Sequence, residues 1–110
     1  MNKTLRSLIL AAAAILPAGG ALASEGQSLR IATEGAYPPF NFFTADGQLG
    51  GFDIEIGRAL CAQMKAKCEF VAQDWDGIIP ALLADKYDLI IASMFITEER
   101  KQKVAFTEPY

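Results

Sequence analysis

The chain of 110 residues carries 10 lysine and arginine residues against 13 aspartate and glutamate residues, which gives a formal net charge of −3. This acidic balance excludes a nucleic-acid-binding protein that depends on a basic surface. The sequence contains no histidine and only two cysteines. Histidine-based acid–base catalysis is therefore excluded for these residues, and two thiols without histidine make a poor zinc site.

The first 23 residues have the pattern of a secretory signal peptide. Two basic residues open the segment, an apolar run follows at 7–16, and small residues occupy 21–23. We expect cleavage near Ala23 and export to the periplasm. A transmembrane anchor is the alternative, but the apolar run is short for a bilayer span.

The remaining residues alternate between predicted strands and predicted helices. Strands are predicted at 29–33, 41–43, 49–52, 68–72, 89–92 and 104–106, and helices at 52–64, at 77–84 and after Thr97. Asp46 and Gly47 form a hairpin turn between the second and third strands. The apolar run at 89–92 is typical of a strand that is covered on both faces. This order predicts an α/β fold, with a mostly parallel sheet flanked by helices.

The helix predicted at 52–64 is the clearest element of the sequence. Its apolar residues recur at four-residue steps, at Phe52, Ile56, Leu60 and Met64. This spacing predicts an amphipathic helix with an apolar stripe. Asp53 and Glu55 lie in its first turn, where the helix dipole favours negative charge, and they point to different sides.

Two further segments have local signals. Asp76 is a predicted N-cap for the helix at 77–84, with Pro80 in the first turn, where a missing N–H costs little. The segment 34–40 contains two consecutive prolines, which remove hydrogen-bond donors and restrict their predecessors. We expect this segment to be a fixed loop without strand or helix.

The two cysteines are interpreted as a disulfide. Cys61 and Cys68 would lie about 10 Å apart on a continuous helix, beyond disulfide reach. The helix must therefore end near Lys65, and Cys68 must begin a strand that turns back. An exported protein favours the bridge. Metal binding is the alternative interpretation.

Three predicted loops leave the carboxyl ends of strands, where open α/β sheets bind ligands. The loops are 34–40, 73–76 and 93–100, and their candidate residues are Glu34, Tyr37, Trp75, Ser93, Thr97 and Arg100. No catalytic constellation and no phosphate-binding glycine loop accompany them. We predict no cofactor and no metal.

Each candidate has a functional and a structural interpretation. Glu34 can pair with a ligand cation, or it is a solvated surface acid. Tyr37 can lay its ring on an aliphatic chain of the ligand, or its ring is packed in the protein. Trp75 is an aromatic wall of a site or part of the core. Arg100 can bind a carboxylate through its planar guanidinium, with Thr97 and the helix start completing the site. Alternatively, Arg100 belongs to surface charge pairs.

Four segments resemble a known family. They resemble motifs of the bacterial solute-binding proteins that serve amino-acid ABC transporters, in particular the lysine/arginine/ornithine, histidine and opine binders. The four segments occur in the order expected for that family, at 34–40, 51–64, 76–82 and 96–100. The resemblance covers 29–110. It implies one lobe of the type II periplasmic-binding-protein fold.

The resemblance implies a ligand site at Glu34, Tyr37, Trp75, Ala92, Ser93, Phe95 and Arg100. Tyr37 and Trp75 would sandwich the ligand side chain, and Glu34 stands where binders of basic ligands place an acid. Arg100 would hold the α-carboxylate, with Ser93 and nearby backbone groups on the head group. Ala92 and Phe95 depart from the pattern, since several relatives carry serines there. The cysteine pair resembles the one that is bridged in the basic-amino-acid members.

The function implied is capture of a polar, cationic amino acid or opine by a monomer that delivers it to a membrane permease. Family members have two lobes, so 24–110 would be the N-terminal part of lobe one, without the second lobe and the returning segment. We expect this part alone to bind weakly or not at all. The alternatives are a periplasmic dehydratase of the cyclohexadienyl/arogenate type, a sensor or lytic-enzyme module, and a disulfide-stapled interaction domain.

Overall fold

A computed structural model describes residues 26–110, so the predicted signal peptide lies outside the described residues. In chain order the elements are β1 Ser28–Thr33, β2 Ala36–Tyr37, β3 Asn41–Phe43, β4 Leu49–Gly50, α1 Phe52–Met64, β5 Lys67–Ala72, α2 Trp75–Leu83, β6 Leu89–Ile90 and α3 Glu98–Lys101. Within 26–110, no helix has the length and apolar character needed to cross a membrane.

The main sheet is parallel and has the strand order β5–β1–β6. The central strand β1 pairs with β5 along its whole length, from Ser28 opposite Lys67 to Thr33 opposite Ala72. It pairs with β6 on its other side, where Ile31 lies opposite Leu89. The predicted α/β fold with a parallel sheet is confirmed, and all three strands end at the same edge.

A second, antiparallel sheet of β2, β3 and β4 lies beside the first. The predicted hairpin is confirmed: Gly47 takes a φ of 79°, and the Thr44 N–H donates to the Gln48 carbonyl at 2.8 Å. The prediction that 34–40 contains no strand is wrong for Ala36 and Tyr37, which pair with β3. The prolines that follow do not prevent this because the pairing ends before them.

The core consists of two small clusters on the parallel sheet. One contains Ala32, Ile78, Tyr87 and Ala92, and the other contains Ile31, Cys61 and Ile91. Burying a side chain such as Ile78, which is 1% exposed, contributes about 1.5–3 kcal/mol. The first cluster extends toward the carboxyl edge through the partly buried Trp75 and Met94. Helix α2 is thereby anchored next to that edge.

Helix α1 has the predicted bounds but buries a different face. The predicted stripe stays about half exposed at Phe52 (51%), Leu60 (50%) and Met64 (55%). The buried residues are Asp53, Ile54, Gly57 and Cys61. A stripe of four-residue steps advances about 40° per step, so it winds around the helix instead of staying on one face. The small residues of the buried face bring α1 close to the sheet.

Helix α2 begins two residues earlier than predicted. Its N-cap position is Asp74, so Asp76 lies in the first turn and is not the cap. Pro80 accordingly falls in the interior of the helix and not in its first turn. The earlier start is possible because Trp75 packs on the core cluster, and tertiary packing outweighs the local capping preference.

The predicted strand at 104–106 is absent, and β6 ends at Ile90 instead of residue 92. A strand needs a ladder partner, and the sheets of the described chain provide none for 104–106. The backbone after β6 turns at Ser93, which has a φ of 50°. The strand cannot continue through a left-handed residue.

The disulfide interpretation is confirmed. Cys61 and Cys68 are bridged with a Cα–Cα distance of 6.2 Å. Lys65 ends α1 in the left-handed conformation, with a φ of 54°, and the chain returns directly into β5. The bridge joins the end of α1 to the first residues of that edge strand.

Gly57 should resist replacement by alanine, although alanine favours helices by about 1 kcal/mol. A Cβ at this position would lie 2.7 Å from Cε1 of the Phe70 ring. Such overpacking costs about 1–3 kcal/mol. We expect Gly57→Ala to lower the free energy of unfolding in a urea titration. Adding Phe70→Leu should recover part of the loss; a Gly57→Ala variant more stable than the parent would contradict this account of the packing.

Candidate ligand-binding site at the carboxyl edge of the parallel sheet

The three predicted loops meet at the carboxyl edge of the parallel sheet. Glu34 directly follows β1, and α2 starts three residues after the last residue of β5. The segment 91–97 joins β6 to α3. Because the three strands are parallel neighbours, their following loops lie side by side.

Trp75 and Arg100 form the best-defined contact of this edge. The Arg100 guanidinium lies 5.3 Å from the centroid of the Trp75 ring, within the range of a cation–π interaction. The two side chains line a groove of ≈ 510 Å³ together with Met94. Trp75 also packs on the core, which confirms the structural interpretation; its role as an aromatic wall of a site stays a prediction. The core fixes one part of the indole, and the groove contains the other.

Arg100 is held by its own segment and not by surface acids. Its backbone N–H donates to the Thr97 hydroxyl at 3.2 Å, and its Nη1 donates to the Phe95 carbonyl at 2.8 Å. The neighbouring acids pair with lysines: Glu98 with Lys101 and Glu99 with Lys103. The interpretation of Arg100 as a surface charge pair therefore fails among the described residues. The rest of its fork is available for an anion.

The segment after β6 places three predicted residues differently. Ala92 is 3% exposed and its methyl group belongs to the core, so only its backbone can face a ligand. Ser93 is half-buried, and its hydroxyl donates to Asp53 at 2.8 Å. The Phe95 side chain is 78% exposed. Its backbone carbonyl accepts the hydrogen bond from Arg100 Nη1.

Glu34 and Tyr37 lie on the β1 side of the edge. Glu34 is half-buried. Tyr37 is 42% exposed, and its ring centroid lies 4.9 Å from that of Phe40, tilted by 48°. Among the described residues, the structure shows no stacking of Tyr37 on Trp75. The two predicted aromatic walls thus belong to different elements, Tyr37 to β2 and Trp75 to the start of α2.

The sequence interpretation missed the residue that connects the loop after β1 with the segment after β6. Asp53, on α1, is 0% exposed. Its Oδ2 accepts from Asn41 Nδ2 at 2.8 Å, and Asn41 Oδ1 accepts from the Gly35 N–H at 2.7 Å. Asn41 is also fully buried. The available clue was that Asp53 lies on the same helix face as Gly57 and Cys61. Small residues indicate the face of a helix that packs closely on a sheet.

Tyr110 reaches the same carboxylate. Its hydroxyl donates to Asp53 Oδ1 at 3.1 Å, and its ring lies 6.5 Å from the Phe52 ring. Burial, and next the negative charge of Asp53, raise the pKa of Tyr110 above its ordinary value. The phenol therefore remains a hydrogen-bond donor at neutral pH. Residues 26–110 contain no group of three or more acidic or cysteine side chains that could hold a metal ion.

The parallel sheet with its helices, and the polar and aromatic side chains beyond the carboxyl ends of its strands, define the class: a lobe of an α/β protein, with the arrangement in which open α/β sheets hold ligands. The chain belongs to the bacterial extracellular solute-binding proteins, family 3, whose model matches residues 29–110. Its fold is accordingly that of a type II periplasmic-binding-protein lobe, as the resemblance implied.

Two curated relatives illustrate the similarity. The octopine-binding periplasmic protein of Rhizobium meliloti is 51% identical over 102 residues, which are 93% of this chain and 34% of the relative. The L-arginine-binding protein of Pseudomonas aeruginosa is 56% identical over 82 residues, which are 74% of this chain and 32% of the relative. The chain thus spans about a third of the length of these relatives.

Solved structures agree in fold. An ancestral arginine-binding protein bound to arginine has a TM-score of 0.74 at 47% identity, over 77% of this chain and 38% of that one. The arginine-bound form of domain 1 from TmArgBP has a TM-score of 0.72 at 38% identity, over 76% and 66%. A third, an ancestral amino-acid-binding protein described as a precursor of cyclohexadienyl dehydratase, has a TM-score of 0.70 at 48% identity, over 74% and 36%.

Proposed function

We propose that this chain forms the N-terminal part of the first lobe of a periplasmic protein that captures a cationic amino acid or opine. Residues 1–23 are then its signal peptide, and 24–110 carry the ligand contacts of this part of the lobe. The protein works as a monomer and delivers its ligand to the permease of an ABC transporter. Closure of a second lobe, with higher affinity for ligand in the closed state, completes the mechanism.

The observation that carries the proposal is the arrangement of Arg100. Its guanidinium lies over Trp75 and, among residues 26–110, has one hydrogen bond, to the Phe95 carbonyl. The remaining N–H donors form a planar fork, which is suited to the two oxygens of an α-carboxylate. Thr97 fixes the backbone from which this side chain extends. A carboxylate-bearing ligand therefore has a prepared anchor.

The proposed ligand is cationic because an acid stands on the opposite loop. Glu34 is half-buried at the end of β1, where partial desolvation strengthens its attraction to a cation. Tyr37 and Trp75 offer aromatic faces for the side chain between the two charges. The names of the relatives, which refer to arginine and octopine, support the same ligand class. The arginine-bound domain 1 of TmArgBP supports a site with contacts in a single lobe.

Binding, and not catalysis, is the function that these residues support. An enzyme of the cyclohexadienyl dehydratase type would also hold a carboxylate, so Arg100 suits both. It would in addition need an acid or base beside the bound substrate. Among the described acids, the proposal assigns Glu34 to the ligand cation, and the oxygens of the buried Asp53 already accept hydrogen bonds from Asn41, Ser93 and Tyr110.

The test is calorimetric titration of the full-length gene product with arginine, lysine, histidine, octopine, glutamine and glutamate. We expect saturable binding of at least one of the four basic compounds. Arg100→Ala should weaken that binding by about 2–5 kcal/mol, since it removes a charge pair with the ligand carboxylate. This corresponds to roughly 30-fold or more in Kd.

Arg58→Ala is the matched control for Arg100→Ala. Arg58 is an exposed arginine on α1. It lines a different groove, which hairpin residues such as Gln48 and Leu49 also line and Trp75 does not. Its replacement should leave the Kd within about twofold of the parent value. Equal losses in both arginine variants, or no binding of any basic compound, would contradict the proposed function.

Glu34→Gln should act on ligand choice. We expect roughly tenfold weaker binding of arginine, because the ligand cation loses its charged partner, and little change for glutamine. Isothermal titration with both ligands measures the ratio of the two Kd values. Glu69→Gln, an exposed acid on β5, serves as control. If Glu34→Gln leaves the ratio unchanged, the cationic ligand would have to be recognised elsewhere.

A further inference from the structure

Asp53 lies at the centre of the loops that carry the proposed site. The Ser93 hydroxyl donates to Oδ1 at 2.8 Å and lies 3.1 Å from Oδ2. Asn41 donates to Oδ2 and Tyr110 to Oδ1. One fully buried carboxylate thus connects β3, the segment after β6 and the C-terminal segment.

The partners of this carboxylate are neutral. Among the described residues, none of the ion pairs includes Asp53. A buried carboxylate is stable only when hydrogen bonds satisfy its oxygens. Its position in the first turn of α1 adds the favourable end of the helix dipole. Asp53 is therefore held behind Ser93 by neutral hydrogen-bond donors and not by a cationic side chain.

The approach of α1 to this point depends on Gly51. Its φ is +111° and a Cβ would lie 2.5 Å from the Phe40 carbonyl oxygen. With glycine there, the Asp53 N–H donates to that same carbonyl at 2.8 Å. Backbone and side chain of Asp53 are both fixed before any ligand arrives.

The contact determines what Ser93 can offer a ligand. A hydroxyl has one hydrogen, and Ser93 gives it to Asp53. Its remaining lone pairs can only accept, so a ligand group that meets Ser93 Oγ must be a donor such as an α-ammonium. The backbone of Ser93 has a φ of 50°, a conformation that non-glycine residues rarely take. The hydrogen bond to Asp53 helps to hold it.

Asp53 acts on the β1 side in the same way. Asn41 donates one amide hydrogen to Asp53 and accepts the Gly35 N–H with its oxygen. Gly35 adjoins Glu34, so the chain of two hydrogen bonds orients the loop that carries the proposed cation partner. Both sides of the site are tied to one carboxylate.

We propose that Asp53 is a positioning residue of the amino-acid site: it holds Ser93 Oγ as an acceptor for the ligand ammonium and fixes the Glu34 loop through Asn41. This inference rests on the proposed function. It adds Asp53 to the residues that the family resemblance already implies at the ligand head group, Ser93 among them, and explains why Ser93 would accept from an α-ammonium.

The experiment compares L-arginine with 5-guanidinopentanoate, which lacks only the α-amino group, in the full-length gene product. The parent should bind arginine more tightly by roughly tenfold to hundredfold. In Asp53→Asn the side-chain amide can donate to Ser93 Oγ, which then no longer serves only as an acceptor for the ligand. This variant should reduce the ratio of the two Kd values. Ser93→Ala should reduce it as well, and the double variant should lose no more than the larger single loss. Glu55→Gln, an exposed acid in the same helical turn, should keep the parent ratio.

Ser93→Ala keeps the buried carboxylate, so it tests the proposal even if Asp53→Asn does not fold. A Ser93→Ala protein with the parent ratio overturns the inference, and so do equal losses for both ligands in Asp53→Asn, which would indicate a purely structural role. If the parent protein binds arginine and both variants keep the parent ratio of the two Kd values, this inference alone is refuted. A parent that binds neither ligand nor any other basic compound refutes the proposed function and this inference together.

Discussion

The buried carboxylate of Asp53 is the constraint on which the edge of this lobe depends. Three elements that are distant in sequence reach it with neutral donors from Asn41, Ser93 and Tyr110. Leaving such a group without partners would cost several kcal/mol. The loops must therefore keep the positions that satisfy it. Helix α1 can present this acid because Gly51 and Gly57 allow the helix to approach the chain around it closely.

The parallel sheet supplies the second constraint. Because β5, β1 and β6 run in the same direction, every loop that leaves them opens at one edge. Trp75 and Ala92 pack in the core and anchor this edge. The short helix α3 places the Arg100 guanidinium over the Trp75 ring. In the proposed site, the carboxylate and the ammonium group of a cationic amino acid would meet Arg100 and Ser93 on the segment after β6, and its cationic side chain would meet Glu34 on the loop after β1.

Local patterns predicted much of this fold. The bounds of α1, the hairpin at Gly47, the helix after Thr97 and the return of the chain after Lys65 depend on neighbouring residues, and all four are confirmed. The burial of Asp53 was not predictable in this way, since its partners Asn41 and Ser93 are 12 and 40 residues away. The early start of α2 likewise reflects tertiary packing of Trp75. Roles of the site residues came from family resemblance and remain predictions.

The most direct test of the central claim is amide NMR of the ¹⁵N-labelled full-length gene product during addition of arginine. The account predicts that the shifts of Ser93, Arg100 and the Trp75 indole N–H move together and saturate at one Kd. Amides at the opposite end of the sheet, such as Ser28 and Lys67, should not move. Saturable binding with shifts confined to residues away from the carboxyl edge would contradict the account.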